Sequence, residues 1–164
     1  MTNLRTGKAW VFGDKIDTDL LAPGAYMKSP LSELAAHCLE AINENFAKDI
    51  NAGDVVVAGD AFGIGSSREQ AAQALVELGV SAVIAKSFAR IFYRNALNLG
   101  LPVLVCPDID DISEGDKLSI DPTAGQIHNL TTDKTYQCDP IPPELMTIVN
   151  AGGLMPYLKS KFSN

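Results

Sequence analysis

Apolar residues in this chain fall into two kinds of run. Val55 to Ala58, Ala82 to Ala85 and Pro102 to Val105 are short continuous blocks without alternation, the pattern of strands covered on both faces of a sheet. Between them lie segments with helical spacing. One runs from Ser66-Ser67-Arg68-Glu69-Gln70 to Gly79, and the other carries Phe88, Ile91, Phe92 and Leu99 and stops at Gly100, with Ser87 as its expected N-cap. The order strand, helix, strand, helix, strand predicts parallel pairing with right-handed crossovers, an α/β fold with a mixed or parallel sheet flanked by helices.

The flanks are less regular. Lys8 to Phe12 reads as a strand ending at Gly13-Asp14, followed by an acidic loop through Asp17-Thr18-Asp19 and a break at Pro23-Gly24. Ser29 is the expected cap of a helix with Pro30 in its first turn and an apolar stripe of Leu31, Leu34, Ala35, Cys38, Leu39 and Ile42. After Cys106 the texture turns acidic. Lys117 to Ile120 and Gln126 to Leu130 predict a hairpin around Pro122 to Gly125, and Glu144 to Val149 and Leu154 to Lys161 predict short closing helices around Gly152-Gly153. No repeat, low-complexity segment or linker is evident, so residues 1–164 are expected to form one domain.

Composition narrows the functional classes. With 46% apolar and 20% charged residues the chain is an ordinary globular one. A net charge of −7 and the lack of any lysine or arginine run argue against a nucleic-acid surface. Neither a signal segment nor a membrane span is evident, so a cytoplasmic location is expected. Cys38, Cys106 and Cys138 are odd in number and widely spaced, which favours reduced, buried thiols over disulfides or a metal knuckle.

Candidate chemistry concentrates in Gly63-Ile64-Gly65-Ser66-Ser67-Arg68-Glu69. Two glycines permit a tight turn or close approach of a ligand, and the helix start behind them offers free N–H groups and a positive dipole end. Arg68 adds a planar fork for a carboxylate, and Ser66 or Ser67 a hydroxyl. The competing reading is a capping box, Ser66 with Glu69 or Ser67 with Gln70, in which the serines only satisfy backbone donors. Nucleotide sites fit poorly: the third glycine of a dinucleotide fingerprint and the lysine of a P-loop are both missing. Elsewhere, Asp17 and Asp19 suit a metal or a turn, with the turn favoured. His37 and His128 lack partners that would suggest a triad or a zinc site. Arg90 and Arg94, four apart on one helix, suit solvent, a subunit partner or an anion, and Tyr26-Met27-Lys28 lies in a recognition-prone loop.

Three blocks in order, Gly13 to Asp19 with Pro23, Phe62 to Gln70, and Ile84 to Phe92, resemble the swivelling domain of the aconitase superfamily. In size and block order the chain is similar to the separate small subunits of the isopropylmalate isomerase and homoaconitase type. The resemblance implies reversible dehydration of a hydroxy dicarboxylic acid, active only with a large catalytic subunit that carries a 4Fe-4S cluster; the cysteines here would not be cluster ligands. It further implies Ser66 as the base, Asp19 as a second active-site residue, Ser67 and Arg68 as substrate holders, and Met27 and Lys28 in the segment that reads the substrate's variable group.

Two positions depart from the family pattern. Lys28 mixes the apolar character suited to an isopropyl group with the cation suited to a distal carboxylate, and Ala61 replaces a frequent asparagine. The first expectation is therefore interconversion of 2- and 3-isopropylmalate in leucine biosynthesis. Homoaconitase and dimethylmalate or methylmalate dehydratase are the alternatives within the class, and a non-catalytic carboxylate-binding module is the alternative outside it. Isolated, the chain would expose an apolar face open to self-association.

Overall fold

The structure, a computed structural model, describes residues 4–162. Its first part runs β1 (Arg5–Val11), α1 (Thr18–Leu21), a 3-10 turn (Gly24–Tyr26), α2 (Leu31–Ala36), α3 (Phe46–Asp49), β2 (Val55–Ala58), α4 (Glu69–Glu77), β3 (Ala82–Ala85), α5 (Arg90–Asn98) and β4 (Val103–Val105). The remainder adds β5 (Lys117–Asp121), β6 (Gln126–Asn129), β7 (Lys134–Gln137), α6 (Pro143–Asn150) and α7 (Leu154–Phe162).

The strands form one seven-stranded sheet in the order β4-β3-β2-β1-β5-β6-β7. The β1 to β4 half is parallel and the β5 to β7 half antiparallel, so the sheet is mixed. Both β2 and β3 are buried at every residue, as unbroken apolar runs require when helices cover both faces. Strand β1 joins the two halves: Arg5 to Lys8 pair antiparallel with Ile120 to Lys117, and Ala9 to Val11 pair parallel with Val55 to Val57. Where the partner changes, the backbones crowd together, and a Cβ on Gly7 would lie 2.0 Å from the Gly53 carbonyl oxygen. Only glycine fits there.

Several local expectations are corrected. Helix α2 is capped by Pro30 rather than by the Ser29 side chain and ends at Ala36. Leu39 takes a left-handed φ of 60° and donates its N–H to the Leu20 carbonyl, so the chain leaves the helix while Cys38 and Leu39 stay buried. Ile42, read as part of the stripe, is 48% exposed. Helix α5 starts from Ala89, because the Ser87 hydroxyl is engaged elsewhere, accepting from the Ala61 N–H at 2.8 Å and donating to Asp60 at 3.2 Å. The hairpin forms as expected but gains a third strand, β7, and the short helix α3 was also unforeseen.

Candidate active site

The loop after β2 is pinned from both sides. Gly63 donates its N–H to the Ile16 carbonyl at 2.7 Å, and Thr18 donates its own to Ile64 at 2.8 Å, so the acidic loop after β1 and the glycine loop after β2 lie side by side. Both glycines have positive φ, 85° at Gly63 and 110° at Gly65. A Cβ on Gly63 would meet the Phe92 ring at 2.3 Å, and one on Gly65 would meet Thr18 Oγ1 at 2.9 Å. The glycines therefore serve close packing of the protein on itself, which brings the Ser66 end of the loop against Thr18.

The capping-box reading of the serines is overturned. Helix α4 begins at Glu69 with Arg68 as N-cap, and no side chain caps it. Ser66 shares a 3.3 Å hydrogen bond with Thr18 Oγ1, in which either hydroxyl can be the donor. Thr18 is buried whereas Ser66 and Ser67 are exposed, so a fixed hydroxyl from inside the fold holds one that faces out. A pocket of about 210 Å³ opens there, lined on one side by Thr18, Gly65 and Ser66 to Arg68 and on the other by Ala89 to Phe92 and Asn95.

Arg68 is held in place by two acceptors. One guanidinium nitrogen donates to Asp19 Oδ1 at 2.8 Å and to the Ala22 carbonyl at 2.9 Å. Asp19 also accepts from the Gly24 N–H at 3.1 Å. The Arg68 hydrogen bond, with the Gly24 bond behind it, holds the Asp19 carboxyl below the ordinary carboxylate range. Because the pair uses one nitrogen of the fork, the rest of the guanidinium can still meet an anion.

A profile of the Aconitase C-terminal domain family matches residues 38–108. The 3-isopropylmalate dehydratase small subunit 1 of Thermotoga maritima is 52% identical over 155 residues, covering 93% of each chain. The 3-isopropylmalate dehydratase small subunit of Methanosarcina mazei is 50% identical, over 96% of this chain and 98% of its own. The chain belongs to the 3-isopropylmalate dehydratase small-subunit family. A crystal structure of 3-isopropylmalate dehydratase from Methanocaldococcus jannaschii superposes with a TM-score of 0.91 at 46% identity, covering 96% of this chain and 95% of the other. The expected aconitase-type fold is thereby established for this small-subunit family member, as a seven-stranded mixed sheet flanked by helices.

Against this family background, the structure gathers Ser66, Ser67 and Arg68 on one pocket wall and links Asp19 to them through the guanidinium. Asp17 caps α1, accepting from the Leu20 N–H at 2.8 Å, which is the turn-forming role expected of it. Met27 packs against the core and Lys28 is exposed; neither lines the pocket. His37 stacks on Tyr26, with centroids 3.7 Å apart, and its Nδ1 lies 2.6 Å from Glu40, while His128 pairs with Asp133. Thr18 was missed as a site residue, because in sequence it is a small residue between two acids and only the fold reveals its buried hydroxyl. Phe92 and Asn95 were also missed, since helical spacing marks them as ordinary α5 positions.

Among the described residues no group of three or more His, Cys, Asp or Glu side chains could hold a metal. All three cysteines are buried in this chain's own packing: burial pushes the Cys38 thiol up, and Cys138 is pushed up chiefly by its hydrogen bond to Cys106. They do not fit as cluster ligands.

Proposed function

We propose that this chain is the small subunit of a 3-isopropylmalate dehydratase, a hydro-lyase that interconverts 2- and 3-isopropylmalate in leucine biosynthesis. In this reading residues 1–164 form one swivelling domain that works in the cytoplasm against a large subunit. The observation that carries it is the Ser66 hydroxyl, free of helix capping, hydrogen-bonded to buried Thr18 and exposed at a pocket beside Arg68.

Ser66 removes the proton from the carbon next to a carboxylate as the neighbouring C–O bond breaks, and returns it when water adds at the other position. A serine is a weak base at neutral pH. The N–H groups at the start of α4 and the Arg68 cation stabilise the Ser66 alkoxide, which is the form that takes the proton and becomes the neutral hydroxyl. Arg68 holds a substrate carboxylate, Ser67 adds a hydrogen bond, and Asp19 fixes the guanidinium. A 4Fe-4S cluster carried by the large subunit would supply the Lewis acid for the departing hydroxyl. Met27 and Lys28, away from the serine wall in the isolated chain, read the variable group of the acid in the assembled enzyme.

The reading is tested by mixing the chain anaerobically with cluster-loaded large subunit and following enoate absorbance from 3-isopropylmalate, homocitrate and dimethylmalate. Activity that requires both chains, prefers 3-isopropylmalate and disappears in Ser66→Ala is the expected result. A docked pair inactive on every acid would instead favour a binding module.

A further inference from the structure

Helix α5 presents an unusual surface for so acidic a chain. Arg90 and Arg94 are both exposed and lie one helical turn apart on the same face. Neither has an ion-pair or hydrogen-bond partner among the described residues, although acidic side chains outnumber basic ones 20 to 13. Between them Ile91 stands 55% exposed. Beside them a groove of about 280 Å³ runs along α5 towards α6, lined by Arg90, Tyr93, Arg94, Leu97, Asn98 and Leu145.

This groove adjoins the serine pocket through one shared wall residue. Arg90 lines both, and Ile91 lines the pocket alone. Arg90 and exposed Ile91 belong to the α5 wall of the serine pocket, so a partner that covers the pocket across this wall lies over Ile91 and beside Arg94. An exposed apolar residue flanked by arginines, with a tyrosine and leucines in the adjoining groove, has the composition of an interface centre rather than of free surface. Two like charges at i and i+4 repel until a carboxylate comes between them.

Resting on the proposed function, we propose that the α5 face of Arg90, Ile91 and Arg94 is where the large subunit docks, with a carboxylate-bearing segment of that subunit set between the two arginines. Docking there closes the pocket over Ser66 and neutralises the arginine pair in one step. The interaction steers association and is sensitive to salt, because its charges begin solvated and end paired.

The test is a titration of cluster-loaded large subunit against the full chain, reading affinity from sedimentation without substrate and, separately, from activity on 3-isopropylmalate. Arg94→Glu raises the apparent Kd roughly tenfold or more, while kcat at saturating large subunit stays within roughly twofold. Arg94→Gln weakens binding less and flattens its dependence on salt. Lys117→Glu, the same change of charge on exposed β5, binds as the wild type does. The inference is overturned if Arg94→Glu sediments with the large subunit as tightly as Lys117→Glu does. It is also overturned if the substitution changes only KM for the acid, or only self-association of the small chain. A wild-type pair that docks but does not turn over sinks the proposed function alone, since the binding comparison remains readable.

Discussion

Arg68 and Asp19 meet at 2.8 Å across 49 positions of sequence, and that contact ties the glycine loop after β2 to the acidic loop after β1. Asp19 is largely exposed, so the pair adds little to folding stability, and under the proposed function its part is to aim the guanidinium. Asp19→Ala should leave the melting midpoint nearly unchanged and lower kcat/KM in the reconstituted enzyme by roughly 10- to 100-fold, because Arg68 loses its fixed position. The pH dependence has a definite sign. The Asp19 pKa is depressed, so the pair is intact above the ordinary carboxylate range and is lost only as pH falls through the lowered value. Activity between pH 6 and 8, roughly the neutral range, should show no titration from this group.

The Thr18 hydroxyl holds Ser66 from a buried position. Thr18→Val keeps the shape and deletes the hydrogen bond, so kcat should fall roughly five- to tenfold with KM little changed, while Thr18→Ser should retain most activity. Steady-state kinetics of the three proteins with a common large subunit decide the point. Equal kcat values for wild type and Thr18→Val would remove Thr18 from the site.

Ala61 has a φ of 60°, a region in which a Cβ crowds the backbone. Its N–H to Ser87 is a backbone donor and survives substitution. Ala61→Gly or Ala61→Asn should therefore stabilise the chain by about 1 kcal/mol in urea unfolding, asparagine through its tolerance of this conformation.

Tyr136 is 3% exposed and donates its hydroxyl to Asp111 at 2.7 Å. Burial first, and then that hydrogen bond, pushes its pKa up to about 12. A folded pKa above the unfolded value of about 10 means that the contribution is complete below pH 10, roughly, and is lost as pH rises towards the folded value. Unfolding free energy should decline over that alkaline window, and phenolate absorbance should place the last tyrosine titration there. Tyr136→Phe should flatten the decline.

All three thiols are buried, and the Cys38 and Cys138 thiols are held in the neutral form. The native chain should react with a thiol reagent far more slowly than the urea-unfolded chain, which should release three equivalents promptly.

Where the sequence was legible, a local pattern carried the physics. Val55 to Val57 and Ala82 to Ala85 read as covered strands because nothing polar interrupts them, and the glycines after β2 marked the one loop with convergent chemistry. Strand β7 escaped because only Tyr136 of its four residues is buried, so alternation over Lys134 to Gln137 is too short to register. The stripe through Cys38 and Leu39 had helical spacing, yet Leu39 N–H bonding to Leu20, a tertiary contact, diverts the chain. In the site, Ser66 and Arg68 were visible as residue types in a glycine loop, whereas choosing between a capping and an exposed serine required the position of Thr18. Likewise, the glycine spacing suggested ligand approach, but the space beside Gly63 belongs to Phe92.

The division of β1 between two sets of partners bears on the order of synthesis. Its parallel partner β2 emerges from the ribosome early, but the residues that cover its other edge, Lys117 to Ile120, come more than a hundred positions after Arg5. Until they arrive, the nascent chain carries an unpaired edge in the middle of what will be its sheet, the kind of surface that templates pairing between chains. Ribosome-bound fragments ending before β5 should thus be chaperone clients, and release from the chaperone should coincide with the appearance of the hairpin.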